Sequence, residues 1–135
     1  PLPWPEDDER PGRLCYCGKR GCIETWLSGP GIAANFGDGT TATIEIVKRA
    51  EAGDAVAEAY IQRVEDRLAR ALATAINILD PDVIVLGGGV SNIARLYGNV
   101  PKLLPKYVFS EFVETRIAQN IHGDSSGVRG AAWLW

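Results

Sequence analysis

Methionine is missing from all 135 residues, histidine occurs only at position 122, and cysteine only at positions 15, 17 and 22. A chain that opens on Pro1 instead of an initiator methionine reads as a piece of a longer protein, beginning in mid-loop. Its first residues show no basic stretch leading into an apolar one, so no signal peptide is expected. No apolar run approaches the ~20 residues of a membrane-spanning helix, so no membrane partner is expected either. Positive charge is not in excess: 14 Lys and Arg against 17 Asp and Glu leave a net charge of -3. Nucleic acid needs a basic face, which argues against it as a direct partner of this segment. Three cysteines are too few, and odd in number, for a disulfide framework, and Cys15 and Cys17 sit too close in sequence to pair comfortably. Reduced thiols make a cytoplasmic location the default expectation.

What is present is concentrated. Hydrophobic residues make up 46% of the chain, a globular composition compatible with one domain and a usable core. All three cysteines fall in Cys15-Tyr16-Cys17-Gly18-Lys19-Arg20-Gly21-Cys22-Ile23-Glu24, spaced C-x-C-x4-C. Glycines between them let the backbone turn several sulfurs toward one point. Three soft thiolates on a tight knuckle suit Zn2+, which takes four ligands in a structural site. Three reduced cysteines in a plain loop are the alternative, and spacing alone leaves both open.

Cys15-x-Cys17-Gly18-x-x-Gly21-Cys22-x-Glu24 resembles the zinc signature of the ROK family of bacterial sugar kinases and sugar-responsive repressors. The wording around it, Pro1-Leu2-Pro3-Trp4 before and Ile23-Glu24-Thr25 after, is most similar to the fructokinase (manno-fructokinase) branch. The likeness runs on through Gly87-Gly88-Gly89 to Gly123-Asp124-Ser125-Ser126-Gly127. It implies an α/β fold, the C-terminal lobe of an actin-like ATPase or ribonuclease H-like sugar kinase with an incomplete sheet. The expected organisation is a partial domain over residues 1–135, with a zinc-knuckle and substrate loop at 1–31 and a helical, nucleotide-facing portion at 32–135. The implied activity is transfer of the γ-phosphoryl of Mg2+-bound ATP to a hexose, with fructose the leading acceptor, by a homodimer when whole. The sensor domain of a ROK repressor is the second reading.

Along the chain, Glu6-Asp7-Asp8-Glu9 reads as a solvated acidic loop. Ile23–Leu27 begins a short helix that Ser28-Gly29-Pro30-Gly31 should stop. Thr41 or Thr43 is a candidate N-cap for a helix through Ala52, ended by Gly53. Asp54 can cap the longest helix, to about Leu79, whose Tyr60, Val64, Leu68, Leu72 and Ile76, widened by Ile61 and Leu79, form one core-facing row. Asp80-Pro81 breaks it. Val83-Ile84-Val85-Leu86, apolar on both faces, reads as a strand buried in a parallel sheet. Ser91 or Asn92 is the candidate cap of a helix carrying Ile93, Leu96 and Tyr97, while Pro101 and Pro105 bracket a short helical turn. Val113–Ala118 reads as a second strand and Gly127–Trp135 as a terminal helix.

The chemistry-bearing candidates are few. Gly87, Gly88 and Gly89 end a strand before a helix, where open α/β sheets bind ligands, although a tight turn explains them equally well. The resemblance implies that this turn backs the adenosine of ATP. Glu24 is either an exposed helix-start carboxylate complementing the dipole or a hydrogen-bond acceptor for sugar hydroxyls; the resemblance implies the second. Cys15, Cys17 and Cys22 would hold structural zinc, with the family's fourth ligand a histidine upstream of the cysteines, in a Glu-x-Gly-His motif, and not His122. Asp124 reads as a turn residue capping the last helix. The Asp-x-Gly-Gly-Thr phosphate loop and the Asn-Asp pair bearing the family's catalytic base do not occur in the 135 residues, so no catalytic residue is assigned.

Overall fold

The structure, a computed structural model, describes residues 1–110, 112–123 and 126–133. Its organising element is the 25-residue helix Ala55–Leu79, here α4. Before it come α1 (Glu24–Leu27), α2 (Gly29–Ala34) and α3 (Thr43–Glu51); after it come β1 (Val83–Leu86), α5 (Arg95–Leu103), β2 (Arg116–Gln119) and α6 (Ser126–Ala132).

Asp54 caps α4 as its position demands, accepting from the backbone N–H groups of Val56 and Ala57, and Arg49 holds the same carboxylate at 2.6 Å. The expected row is buried at Ile61, Val64, Leu68 and Ile76, where it meets Ile46 and Val47 of α3 and Leu96 and Val100 of α5 in one core. Each such burial stabilises by about 1.5–3 kcal/mol relative to exposure. Leu79 departs from the row: it lies in the last turn of α4 and is 72% exposed, and Asp80 ends the helix in a left-handed conformation.

Several local expectations are corrected. Ser28-Gly29-Pro30-Gly31 stops α1 at Leu27, as expected, but also starts α2 at once: Ser28 accepts from the Gly31 N–H, and Pro30 sits in the first turn, where its missing N–H costs nothing. The residue capping α3 is Ala42, without a side-chain bond, since the Thr43 hydroxyl donates to the Gly29 carbonyl instead. Ser91 and Asn92 belong to a single 3-10 turn, Gly89–Asn92, and α5 begins later, after Ala94. Pro101 lies inside α5 and Pro105 in the 3-10 turn that follows it.

β1 and β2 pair in parallel, Val83 opposite Arg116 and Leu86 opposite Gln119, with α5 as the crossover. This is the βαβ unit of an α/β protein. β2 starts three residues later than the run from Val113 had indicated, and α6 is described only to Ala132. β1 is not buried on both faces. Ile84 and Leu86 pack inward, but Val83 and Val85 are 39% and 57% exposed, because no described element covers that side of the two-stranded sheet.

The acidic run is likewise not a solvated loop throughout. Glu9 is 3% exposed and takes the Arg67 Nε at 2.7 Å and both terminal nitrogens of Arg70 at 2.8 and 2.9 Å, while Asp8 pairs with Arg63 on the surface. Burial pushes the Glu9 carboxyl up, yet Arg70 and Arg67 outweigh it and hold the group down at about 2. Partners 58 and 61 residues away decided its environment.

Candidate functional site

The cysteine stretch folds into a knuckle. Leu14 and Arg20 form an antiparallel bridge, the Cys15 N–H donates to the Lys19 carbonyl at 2.8 Å, and the Gly18 N–H donates back to the Cys15 carbonyl. Its base is closed by two glycines in contact: a Cβ on Gly12 would lie 2.5 Å from the Gly21 Cα, and both residues have positive φ. No larger residue fits at Gly12 without moving backbone, a requirement the sequence reading missed.

Within the knuckle the ligand atoms of Cys15, Cys17 and Cys22 all lie within 4.8 Å of one another, and the sulfurs of Cys17 and Cys22 are 3.5 Å apart. The Cys17 thiol is lowered, first by the Lys19 backbone N–H donating to it and then by Cys22; Cys22 is raised in turn by the bond it shares with Cys17. Three convergent sulfurs fit a soft divalent cation such as Zn2+. His122 is not among them. It is exposed, between β2 and α6, and lines a separate cavity with Arg129 and Trp133.

Beside the knuckle is an open cleft of about 220 Å³. Arg13, Cys15 and Tyr16 of the knuckle and Glu24, Ser28 and Ala34 of the α1–α2 segment are among the residues that line it. Glu24, the first residue of α1, lines the cleft and is exposed. The structure thus brings Glu24 and Cys15, one of the three clustered cysteines, to one cleft. It does not bring Gly87–Gly89 there.

The glycine turn sits at the carboxyl end of β1, exposed, with Gly88 at φ 69°. Two residues with no part in the motif hold it. The fully buried Ser91 donates its hydroxyl to the Gly88 carbonyl at 2.7 Å, and Asn120, just past β2, donates to both the Leu86 carbonyl and the Ser91 Oγ. Only the parallel register of β1 and β2 made Asn120 a neighbour of this turn. Asp124 lies outside the described residues.

Residues 6–135 match the sequence profile described as the ROK family. The chain belongs to the ROK family. Among curated relatives of this ROK chain, the N-acetyl-D-glucosamine kinase of Aliivibrio salmonicida is 44% identical over 123 residues, covering 89% of the chain and 41% of that protein. That of Vibrio vulnificus (strain YJ016) is 39% identical over 130 residues, covering 94% and 43%. A solved ROK family glucokinase from Streptomyces griseus, in complex with glucose and AMPPNP, superposes with a TM-score of 0.76 at 25% identity over 91% of the chain and 47% of its own. A ROK family transcriptional regulator, described as a homolog of the E. coli MLC protein, gives 0.64 at 26% identity over 82% and 32%. The chain therefore spans less than half the length of these relatives. Its α/β arrangement is the ROK fold, and no described helix is long and apolar enough to cross a membrane.

Proposed function

We propose that the chain is part of an ATP-dependent hexose kinase that transfers the γ-phosphoryl of ATP to a sugar hydroxyl. The observation that carries this reading is the cleft in which Glu24 stands beside the clustered cysteines. A carboxylate there accepts hydrogen bonds from sugar hydroxyls, and a rigid knuckle holds its surroundings to the precision a site needs. Cys15, Cys17 and Cys22 would hold zinc; when bound, the ion supplies a cross-link through the knuckle and no chemistry on the sugar. Gly87, Gly88 and Gly89 would face the nucleotide, braced by Ser91 and Asn120, with Mg2+ arriving on the ATP. Residues 1–31 then serve the sugar and 32–135 the nucleotide, in a homodimer and in a reducing, cytoplasmic setting that keeps the thiols free.

N-Acetyl-D-glucosamine is the first acceptor to test, because relatives 39–44% identical are named for it. Fructose, favoured by the wording around the cysteine motif, is the second, and glucose the third. The test uses the whole reading frame that contains this chain, with ADP release coupled to a reporter and each sugar in turn. Glu24→Gln should lower kcat/KM for the preferred hexose roughly 10- to 100-fold, the cost of a lost charge-assisted hydrogen bond. The 135-residue chain alone should be inactive; turnover by it that Glu24→Gln abolishes would overturn this account of the missing base. The likeness to the transcriptional regulator supports a second reading, a sugar sensor. Hexose binding by the whole protein without any phosphorylation would favour that one.

A further inference from the structure

We propose that Arg67 is a positioning residue for Glu24, acting through Trp26. The inference rests on the reading that Glu24 contacts the hexose. α1 has four residues, far too few to hold its own orientation in water, so what it packs against sets where Glu24 stands. Trp26 is the one buried side chain of α1. The Arg67 guanidinium lies over its ring, 4.4 Å from the centroid. The indole Nε1 is buried with no hydrogen-bond partner among the described residues, so nothing but packing orients the ring.

Arg67 is itself immobilised. Its side chain is 4% exposed, and Glu9 takes its Nε at 2.7 Å while also gripping Arg70. A planar guanidinium pinned at one edge offers the indole a flat, fixed face, which a lysine ammonium cannot do. The neighbouring α2 packs directly on α1, with Asn35 donating to the Thr25 carbonyl, and Tyr60 of α4 donates to the Ile32 carbonyl of α2. These bonds tie the α1 backbone to α2 and α2 to α4. The Arg67–Trp26 stack ties the side-chain face of α1 to α4, two residues from Glu24.

The test measures affinities of the whole protein for N-acetyl-D-glucosamine and for ATP by calorimetry. Four forms are compared: unmodified, Glu24→Gln, Arg67→Lys and the double variant. Arg67→Lys keeps a cation against Glu9, so the pair is not left half-charged. It should weaken hexose binding roughly five- to tenfold, leave ATP binding within about twofold, and add little in the Glu24→Gln background, since coupled residues are non-additive. An equal loss in both backgrounds, a parallel loss for ATP, or no loss overturns the inference. If Glu24→Gln alone leaves hexose affinity unchanged, the reading of the cleft fails first and this inference with it. Should Arg67→Lys not fold, Trp26→Phe and Trp26→Leu decide: the phenyl face should retain hexose affinity and the leucine lose it, and equal behaviour of the two overturns the proposal.

Discussion

The two halves of this molecule are stabilised in different ways. Around α4, every facing element contributes side chains to one apolar core, and the charges brought into it are answered: Glu9 by two arginines, Glu65 by Arg95 and Asn99. Among the described residues, the β1–β2 sheet has one packed face, one open face and two open edges, with Phe109, Phe112 and Trp133 exposed elsewhere on the same C-terminal half. A short helix or a long one can be satisfied by local hydrogen bonds and one packed stripe. A parallel strand needs neighbours on its edges and cover on both faces. The N-terminal half is thus close to self-sufficient in the described residues, whereas the sheet is sized for a larger structure.

The sharpest way to break this contrast is Glu9→Ala. Removing the carboxylate leaves the Arg67 and Arg70 cations buried without it and should cost about 3–5 kcal/mol in denaturant unfolding. A loss under 1 kcal/mol would show that the buried network does not tie residues 1–14 to α4. Acid offers a milder form of the same experiment. The Glu9 carboxyl sits at about 2 in the folded chain against an ordinary 4.5, so its contribution is complete above about pH 4.5 and disappears as the pH falls through 2. That difference is worth about 3 kcal/mol. Unfolding free energy should fall over that window, and fall less in Glu9→Gln; identical profiles would refute the assignment. Glu58, also held down at about 2 by Arg95, is a third exposed, so solvent screening leaves it a smaller share.

Smaller effects sharpen the comparison. Ile61→Val in the core should cost about 0.5–1.5 kcal/mol, because one methyl leaves a void that close-packed neighbours do not fill. Val85→Thr on the open sheet face should change the stability of this chain by less than about 0.5 kcal/mol. In the whole protein the same substitution should cost more if further structure covers that face. Hydrogen exchange gives the last measure: amides in the middle of α4 should exchange slowest, and those of β1 and β2 many times faster. Equal protection in both regions would mean that the sheet is as well supported as the helical core.

Local information was enough wherever the partner was nearby in sequence. Asp54 caps α4 through N–H groups two and three residues on, Asp80-Pro81 ends it, and the four-residue recurrence from Tyr60 selects the face that becomes core. The knuckle was legible for the same reason, since three sulfurs within eight residues, with glycines between, have few ways to point except together. Misreadings arose where the partner was distant, as for Glu9, and where one stretch had two roles. Ser28-Gly29-Pro30-Gly31 ends α1 as its residues indicate, and the Ser28 hydroxyl that accepts from the Gly31 N–H also starts a second helix there.

By itself, then, the sequence determined the long helix and its cap, the strand–turn–helix order of an α/β protein, and the ROK cysteine knuckle with Glu24 beside it. Each of these depends on spacing within a few residues, where the covalent chain does the positioning. The tertiary structure alone decided that Glu9 leaves solvent to pair with Arg67 and Arg70, that Asn120 braces the glycine turn, and that Trp26 rests on Arg67. These contacts join residues about 30 to 60 positions apart, and their chemistry exists only once helix packing and strand register have brought the groups together.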